Sequence, residues 1–120
     1  MATFITPLLE GREPYDLYKW AVDLFEGREY LPAIEVLEHL LTQVSRSEAG
    51  EARELLVRSY FHSAQLAKAA EAAEALLIDN PTNGYAALLR FRSLERAGWH
   101  DEAQTAKRVA EALGMDTSGR

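Results

Sequence analysis

The stretch that decides the fold is residues 50–81, which read GEARELLVRSYFHSAQLAKAAEAAEALLIDNP. Its first half repeats apolar side chains every three or four residues, the spacing of an amphipathic helix. Its second half, residues 66–78, carries only the charges Lys68, Glu71 and Glu74 among alanines and leucines. Asn80 and Pro81 end this half, because proline lacks a backbone donor and disfavours helical geometry in the preceding residue. The pattern predicts two antiparallel helices joined by residues 63–65, with the second covered by neighbours on more than one side.

The rest of the chain supplies those neighbours as four further predicted helices. Pro14 suits the first position of a helix, and Gly27 suits its end. Gly98 and Gly114 follow the last two apolar patterns, and Ser47 is the expected N-cap of the third helix. The predicted helices span about residues 14–26, 31–44, 51–62, 66–78, 85–97 and 101–113. The chain is therefore predicted to be all-α.

Composition and charge fit one soluble globular domain. Of the 120 residues, 48% are hydrophobic and 27% are charged, and none is cysteine. Disulfides, cysteine-based metal sites and cysteine nucleophiles are thus excluded. The apolar runs are too short to cross a membrane, and the N-terminus lacks the positive charge of a secretory signal, so we expect a cytoplasmic protein. A net charge of −6 without a basic cluster argues against nucleic-acid binding.

The helix pairs repeat along the chain. Residues 30–35, 66–71 and 100–105 superpose at offsets of 36 and 34 residues, each near the start of a second helix. A period near 34 with two helices in each unit is typical of a stacked helical array. In such an array an inner helix is apolar on two sides, whereas a terminal helix keeps a polar side. The fourth helix fits the first description, and the sixth, with Gln104, Lys107 and Arg108 on one side, fits the second.

The middle unit resembles a tetratricopeptide repeat (TPR). Leu56, Tyr60, Ala69 and Pro81 stand where that family places its first-helix leucine and tyrosine, its second-helix alanine and its terminal proline. Residues 97–103 resemble the family's turn between helices. The resemblance implies a right-handed α-solenoid of three antiparallel helix-turn-helix units, about residues 14–47, 48–83 and 84–113. An N-terminal arm, residues 1–13, and a polar C-terminal tail, residues 114–120, flank these units.

The chain departs from the family pattern at one packing position. The small residue that the family uses in its first helix is Ala21 in the first unit, but Val57 and Phe91 in the others. The first unit also has Ser45 in place of the terminal proline. Close helix contact at the small-residue position is therefore expected chiefly in the first unit.

The arm and the two tryptophans have open roles. Residues 1–13 hold Phe4, Ile5, Leu8 and Leu9, interrupted by Pro7 and Gly11. The arm can pack over the first helix pair, insert into a neighbouring subunit or its own groove, or fray. Trp20 is expected in the core. Trp99, at a turn with polar neighbours, is expected to be half exposed, as a lid on its helix pair or a contact for a partner.

No catalytic or metal-binding motif is present. His39, His62 and His100 form no i,i+4 pair, and we expect His39 and His100 at the surface. Acidic pairs such as Glu35 and Glu38 have the spacing of a solvated helix face. The sequence predicts a protein that is not an enzyme and holds no cofactor or metal.

The expected binding surface is the non-core side of the first helices, which line the concave face in a stack of helix pairs. Aromatic side chains beside arginines suit a peptide or helix with apolar anchors and negative charge, and tyrosine and arginine are enriched at binding hot spots. The competing interpretation is that several of these side chains belong to the core. The predicted peptide-binding residues are Tyr18, Val22, Phe25, Arg58, Phe61, His62, Leu89, Arg92 and Arg96.

These features predict an adaptor or scaffold that binds another protein without catalysis. The alternative is a structural homo-oligomer that assembles through the arm or the exposed end of the stack, with no separate ligand. Neither a nucleic acid nor a membrane is expected as a partner.

Overall fold

The computed structural model describes residues 6–119, and the side chains of residues 8–119. Over these residues the regular structure is helical and contains no strand, which confirms the all-α prediction. None of the helices described is long and apolar enough to cross a lipid bilayer. The helices are α1 (Thr6–Leu9), α2 (Pro14–Glu26), α3 (Tyr30–Leu41), α4 (Gly50–His62), α5 (Leu66–Asp79), α6 (Gly84–Ala97) and α7 (His100–Ala112).

The chain divides into two compact units, Met1–Ser63 and Ala64–Arg120. In the first unit, α3 packs against α1, α2 and α4, and α2 also touches α4. In the second unit, α6 packs against both α5 and α7. The boundary between the units falls at the turn that connects α4 to α5.

Most helix limits follow the turn chemistry read from the sequence. Pro14 begins α2, and Gly27 follows its last residue. Asn83 caps α6, because its side-chain oxygen accepts a hydrogen bond from the Ala86 backbone N–H at 3.1 Å. Gly98 follows α6 in the left-handed conformation, with φ of 82°, which a residue without a Cβ adopts readily.

The predicted end of the second long helix is wrong. The sequence places it near residue 44, but α3 ends at Leu41. The Thr42 hydroxyl donates to the His39 carbonyl at 2.6 Å, and the Gln43 N–H donates to the Leu40 carbonyl at 2.9 Å. These short-range bonds satisfy the last carbonyls and turn the chain out of the helix.

The predicted N-cap of the next helix is also wrong. Ser47 lies inside a 3₁₀ turn, Arg46–Glu48, that precedes α4. Its hydroxyl is 3.1 Å from that of Ser45, and Ala49 occupies the cap position without a side-chain bond. The backbone bond from Glu48 to Ser45 in this turn delays the start of α4 to Gly50.

The connection inside each predicted helix pair has one recurring backbone geometry. Arg28, Ala64 and Gly98 all lie in the left-handed region, with φ of 63°, 63° and 82°. Their separations are 36 and 34 residues, the offsets of the sequence repeat. Five residues after each, a buried alanine donates its N–H to the carbonyl four residues before it. These bonds run from Ala33 to Glu29 (3.1 Å), from Ala69 to Gln65 (2.9 Å) and from Ala103 to Trp99 (2.9 Å).

The N-terminal arm packs on the first unit over the residues that the structure describes. α1 contacts α3, and Leu9 is only 3% exposed. The Arg12 guanidinium lies 5.0 Å from the ring centroid of Trp20. Trp20 is therefore half-buried beneath the arm rather than fully inside the core. Phe4 and Ile5 lie outside the described residues.

The compact unit Ala64–Arg120 has a large side chain at the first-helix position where the repeat pattern expects a small residue. Phe91 is 3% exposed and belongs to a buried cluster with Leu94. The other members, Ala70 on α5 and Ala103 and Ala106 on α7, carry only a methyl group. Small residues on the neighbouring helices thus provide the volume that the ring of Phe91 fills.

Burial along α5 is broad but incomplete. Ala69, Ala70, Ala73 and Leu76 are buried, and Ala72, Ala75 and Leu77 are half-buried. A stripe that includes Glu71, Glu74 and Ile78 faces solvent, and Ile78 is 71% exposed.

Candidate protein-interaction surface

The predicted surface on the first unit lies where α2 and α4 come together beside α3. Tyr18, Val22 and Phe25 are four and three residues apart, so they share one side of α2. Arg58 and Phe61 share a side of α4 for the same reason. All five side chains are half-buried. Ring and cation contacts bring together four of the six residues that the sequence assigned to binding in this unit, namely Phe25, Arg58, Phe61 and His62.

Four aromatic side chains, Phe25, Tyr30, Phe61 and His62, form what we call the ring cluster. His62 stacks on Tyr30 with centroids 5.2 Å apart and ring planes 18° apart. It meets the edges of Phe25 at 5.4 Å and Phe61 at 5.7 Å. Phe25 and Tyr30 also meet edge to face at 5.3 Å. These are favourable aromatic geometries, yet His62 remains exposed and the other three rings only half-buried.

Arg58 adds a positive charge to the ring cluster. Its guanidinium carbon lies 4.6 Å from the centroid of Phe25. A cation over an aromatic face is attracted by the negative potential of the ring. The guanidinium therefore lies beside a partly exposed aromatic surface.

The opposite end of the surface is acidic. Burial and the nearby charge of Glu51 raise the pKa of Tyr18, with Glu54 acting in the same sense and Arg58 opposing it. Tyr18 and Pro14 line one cavity with Glu51, so the first turns of α2 lie beside the first turns of α4. Phe25, near the end of α2, contacts Arg58 in the second half of α4. Because position along α2 increases with position along α4, the two helices run in the same direction. Seven residues of helix separate Tyr18 from Phe25, a rise of about 10 Å.

A cavity of about 240 Å³ opens at the acidic end. Leu40 and Ala52 give it an apolar floor, and the carboxylates of Glu48 and Glu51 are exposed at its rim. Such walls suit a basic side chain, whose aliphatic stem packs on apolar surface while its charge meets rings and carboxylates. Its lining residues are Pro14, Tyr15, Tyr18, Leu40, Val44, Glu48, Glu51 and Ala52.

The three predicted binding residues on the unit Ala64–Arg120 differ in their exposure and in their hydrogen bonds. Leu89 is only 9% exposed, so it belongs to the buried side of α6 and we leave it out of the surface. Arg96 is exposed. Arg92 is half-buried and donates from Nη2 to the Gly119 carbonyl at 2.7 Å. Its Nη1 atom lies 3.5 Å from a carboxylate oxygen of Glu95.

Sequence reasoning missed two parts of these surfaces. The sequence pattern assigns Tyr30 only to the repeat, but the left-handed turn at Arg28 brings it back against Phe25. The one available signal was a pair of aromatic residues on either side of a tight turn. The sequence predicts a polar C-terminal tail, but Thr117 is only 7% exposed.

The remaining side chains singled out by sequence are not gathered into one site. Trp99 is 45% exposed, as predicted. His100 is exposed, and the half-buried His39 has its Nε2 atom 2.9 Å from the side-chain nitrogen of Gln43. Among the described side chains, no group of three or more histidines, cysteines, aspartates or glutamates is placed to hold a metal ion.

The chain matches no protein-family model, and comparison with curated proteins finds no match.

Proposed function

We propose that this chain is a non-catalytic interaction module of the TPR type, which binds a peptide or helix of another protein across α2 and α4. The observation that carries the proposal is the ring cluster with Arg58. Four rings and a guanidinium lie within 5.7 Å of their neighbours, and each keeps part of its surface exposed. Aromatic and arginine side chains in such a setting are those that most often dominate binding energy.

The repeated turns support the TPR-type architecture. A left-handed residue and a buried alanine recur together at offsets of 36 and 34 residues, which fits two-helix units with a period near 34. The common direction of α2 and α4 is also what first helices of successive units would have, so their outer sides form one continuous surface.

The charges on this surface suggest the chemistry of the partner. The ring cluster suits an apolar or aromatic anchor, and Arg58 suits an acidic side chain next to that anchor. The cavity at the other end suits a basic side chain. A partner segment with its acidic and basic residues about 10 Å apart would bind in one orientation, because the reverse orientation places like charges together.

Selection from a random peptide library on the immobilised full chain tests the proposal. We expect a family of peptides with an apolar anchor and an acidic neighbour. Charge reversal by Arg58→Glu is expected to weaken their binding about tenfold or more, since a charge-assisted contact is typically worth about 1.5–3 kcal/mol. Arg108→Glu is the matched control, because Arg108 is exposed on α7 and the charge change is identical.

Failure to enrich any peptide family, or binding that Arg58→Glu and Phe25→Ala leave unchanged, would overturn the proposal. Circular dichroism on each variant separates loss of the surface from loss of the fold.

A structural homo-oligomer is the second candidate. Two leucines of the first unit, Leu8 and Leu31, are 52% and 62% exposed, and exposed apolar side chains favour association. If the arm mediates assembly, deletion of residues 1–13 changes the mass measured by light scattering. A mass equal to one chain before and after the deletion would remove this candidate.

A further inference from the structure

The C-terminal segment, residues 115–119, folds back onto the second unit. Gly114 adopts φ of 87° after α7. The Met115 N–H then donates to the Ala110 carbonyl at 3.0 Å. This left-handed ending satisfies a helix-terminal carbonyl and reverses the chain. The segment is thereby directed towards the start of α6.

Two side chains anchor the segment. The thioether of Met115 lies over Gly84, where an added Cβ would be only 2.8 Å from Sδ. The Thr117 hydroxyl donates to a carboxylate oxygen of Glu111 at 2.6 Å. Thr117 is 7% exposed, whereas Glu111 is exposed, so the bond joins a buried hydroxyl to a surface carboxylate. Hydrogen bonds to a charged group are among the stronger ones in proteins.

The far end of the segment reaches Arg92. The guanidinium donates from Nη2 to the Gly119 carbonyl at 2.7 Å. Asp116 shapes the approach, because its carboxylate accepts from the Ser118 N–H at 2.9 Å and the Ser118 hydroxyl at 2.6 Å. An arginine that the sequence assigned to peptide binding thus already holds the main chain of a peptide segment.

We infer that residues 115–119 are an internal ligand: they occupy a peptide-binding surface on α6 and α7, which another chain's segment can take only by displacing them. The displacing segment is extended, with an apolar side chain for the position over Gly84 and a carbonyl or carboxylate oxygen for Arg92. This surface lies within the unit Ala64–Arg120 and functions whether or not the α2–α4 surface binds a partner.

The segment is docked on the unit by only a few buried contacts. Asp116, Ser118 and Gly119 are exposed, so most of its length makes no buried contact. Met115 and Thr117 supply its less exposed side chains. A segment with so few buried contacts opens far more readily than the helices beneath it.

A peptide probe tests this inference in the full chain. The variant Met115→Gly/Thr117→Gly removes both anchors and keeps the chain length. The probe is a capped synthetic peptide, GMDTSG, and the control peptide is GGDGSG. By NMR, we expect GMDTSG to shift the signals of Gly84 and Arg92 in the variant. We expect at least about tenfold weaker binding to the wild type, because the tethered segment competes at high effective concentration.

Equal binding of GMDTSG to wild type and variant would overturn the inference, as would no binding to the folded variant at about millimolar peptide, the effective concentration of a short tether. Addition of Arg92→Leu to the variant is expected to weaken the binding of GMDTSG, because the peptide loses its hydrogen-bond donor. If the variant does not fold, backbone relaxation of the wild type decides: ordered amides at 117–119 agree with docking, and amides as mobile as a free terminus contradict it.

Discussion

Two glycines occupy the same helix position in different surroundings. Gly50 begins α4, and an added Cβ there would meet nothing within 4 Å. Gly84 begins α6 under the thioether of Met115. We expect Gly50→Ala to stabilise the fold by about 0.5 kcal/mol, because alanine lowers the conformational entropy of the unfolded chain. We expect Gly84→Ala to give less or none of this gain, because the thioether of Met115 must move. Urea unfolding measures both, and equal shifts would show that Met115 does not cover Gly84.

Tyr18 leads to a prediction about pH. Burial and Glu51 raise its pKa above the ordinary value of 10.0. The unfolded chain therefore loses this proton at lower pH than the folded chain does. Stability linked to Tyr18 is fully present below about pH 10 and is lost as the pH rises through the folded pKa. In an absorbance titration, we expect Tyr18→Phe to remove a late-titrating phenol and Glu51→Gln to make that phenol titrate earlier. Removal of an early-titrating phenol by Tyr18→Phe would contradict this.

At the scale of elements, the turns inside the helix pairs are alike in backbone but not in residue type. Arg28 and Ala64 adopt positive φ with a Cβ present, whereas Gly98 adopts it without one. A left-handed conformation costs a residue with a Cβ about 1–2 kcal/mol. We therefore expect Arg28→Gly and Ala64→Gly each to raise the free energy of unfolding by about 0.5–1 kcal/mol, net of glycine's entropy. Gly98→Ala should lower it by about 1 kcal/mol. Thermal unfolding of the three variants tests this. If Arg28→Gly and Ala64→Gly changed the free energy of unfolding in opposite directions, the two turns would not be equivalent.

The same elements show what the sequence could predict. Helix limits set by backbone chemistry, such as Pro14 and Gly98, were predictable because the cause lies in the residue itself. The start of α4 was not, since a 3₁₀ turn rather than a serine cap delays it. The docked tail was not predictable either, because a polar threonine such as Thr117 becomes buried only through contacts made in the folded chain.

At the scale of the whole molecule, helix periodicity predicted the α2 side of the candidate site. Tyr18, Val22 and Phe25 could be placed on one side of a helix from spacing alone. The meeting of Phe25 with Arg58 and His62 depends on how α2 and α4 lie on α3, which no local pattern encodes. The burial of Leu89 escaped prediction for the same reason, because a helix position is interior only once its neighbours are known.

The central claim is that the α2–α4 surface binds a segment of another protein. Its most direct test is an NMR titration of the full chain with a library-selected peptide. We expect the largest shifts at Phe25, Arg58 and His62, with smaller ones at Tyr18 and Val22. In Arg58→Glu, about tenfold more peptide or more should be needed to reach the same shifts. Shifts centred on the exposed side of α7, or binding that leaves the ring cluster unperturbed, would contradict the claim.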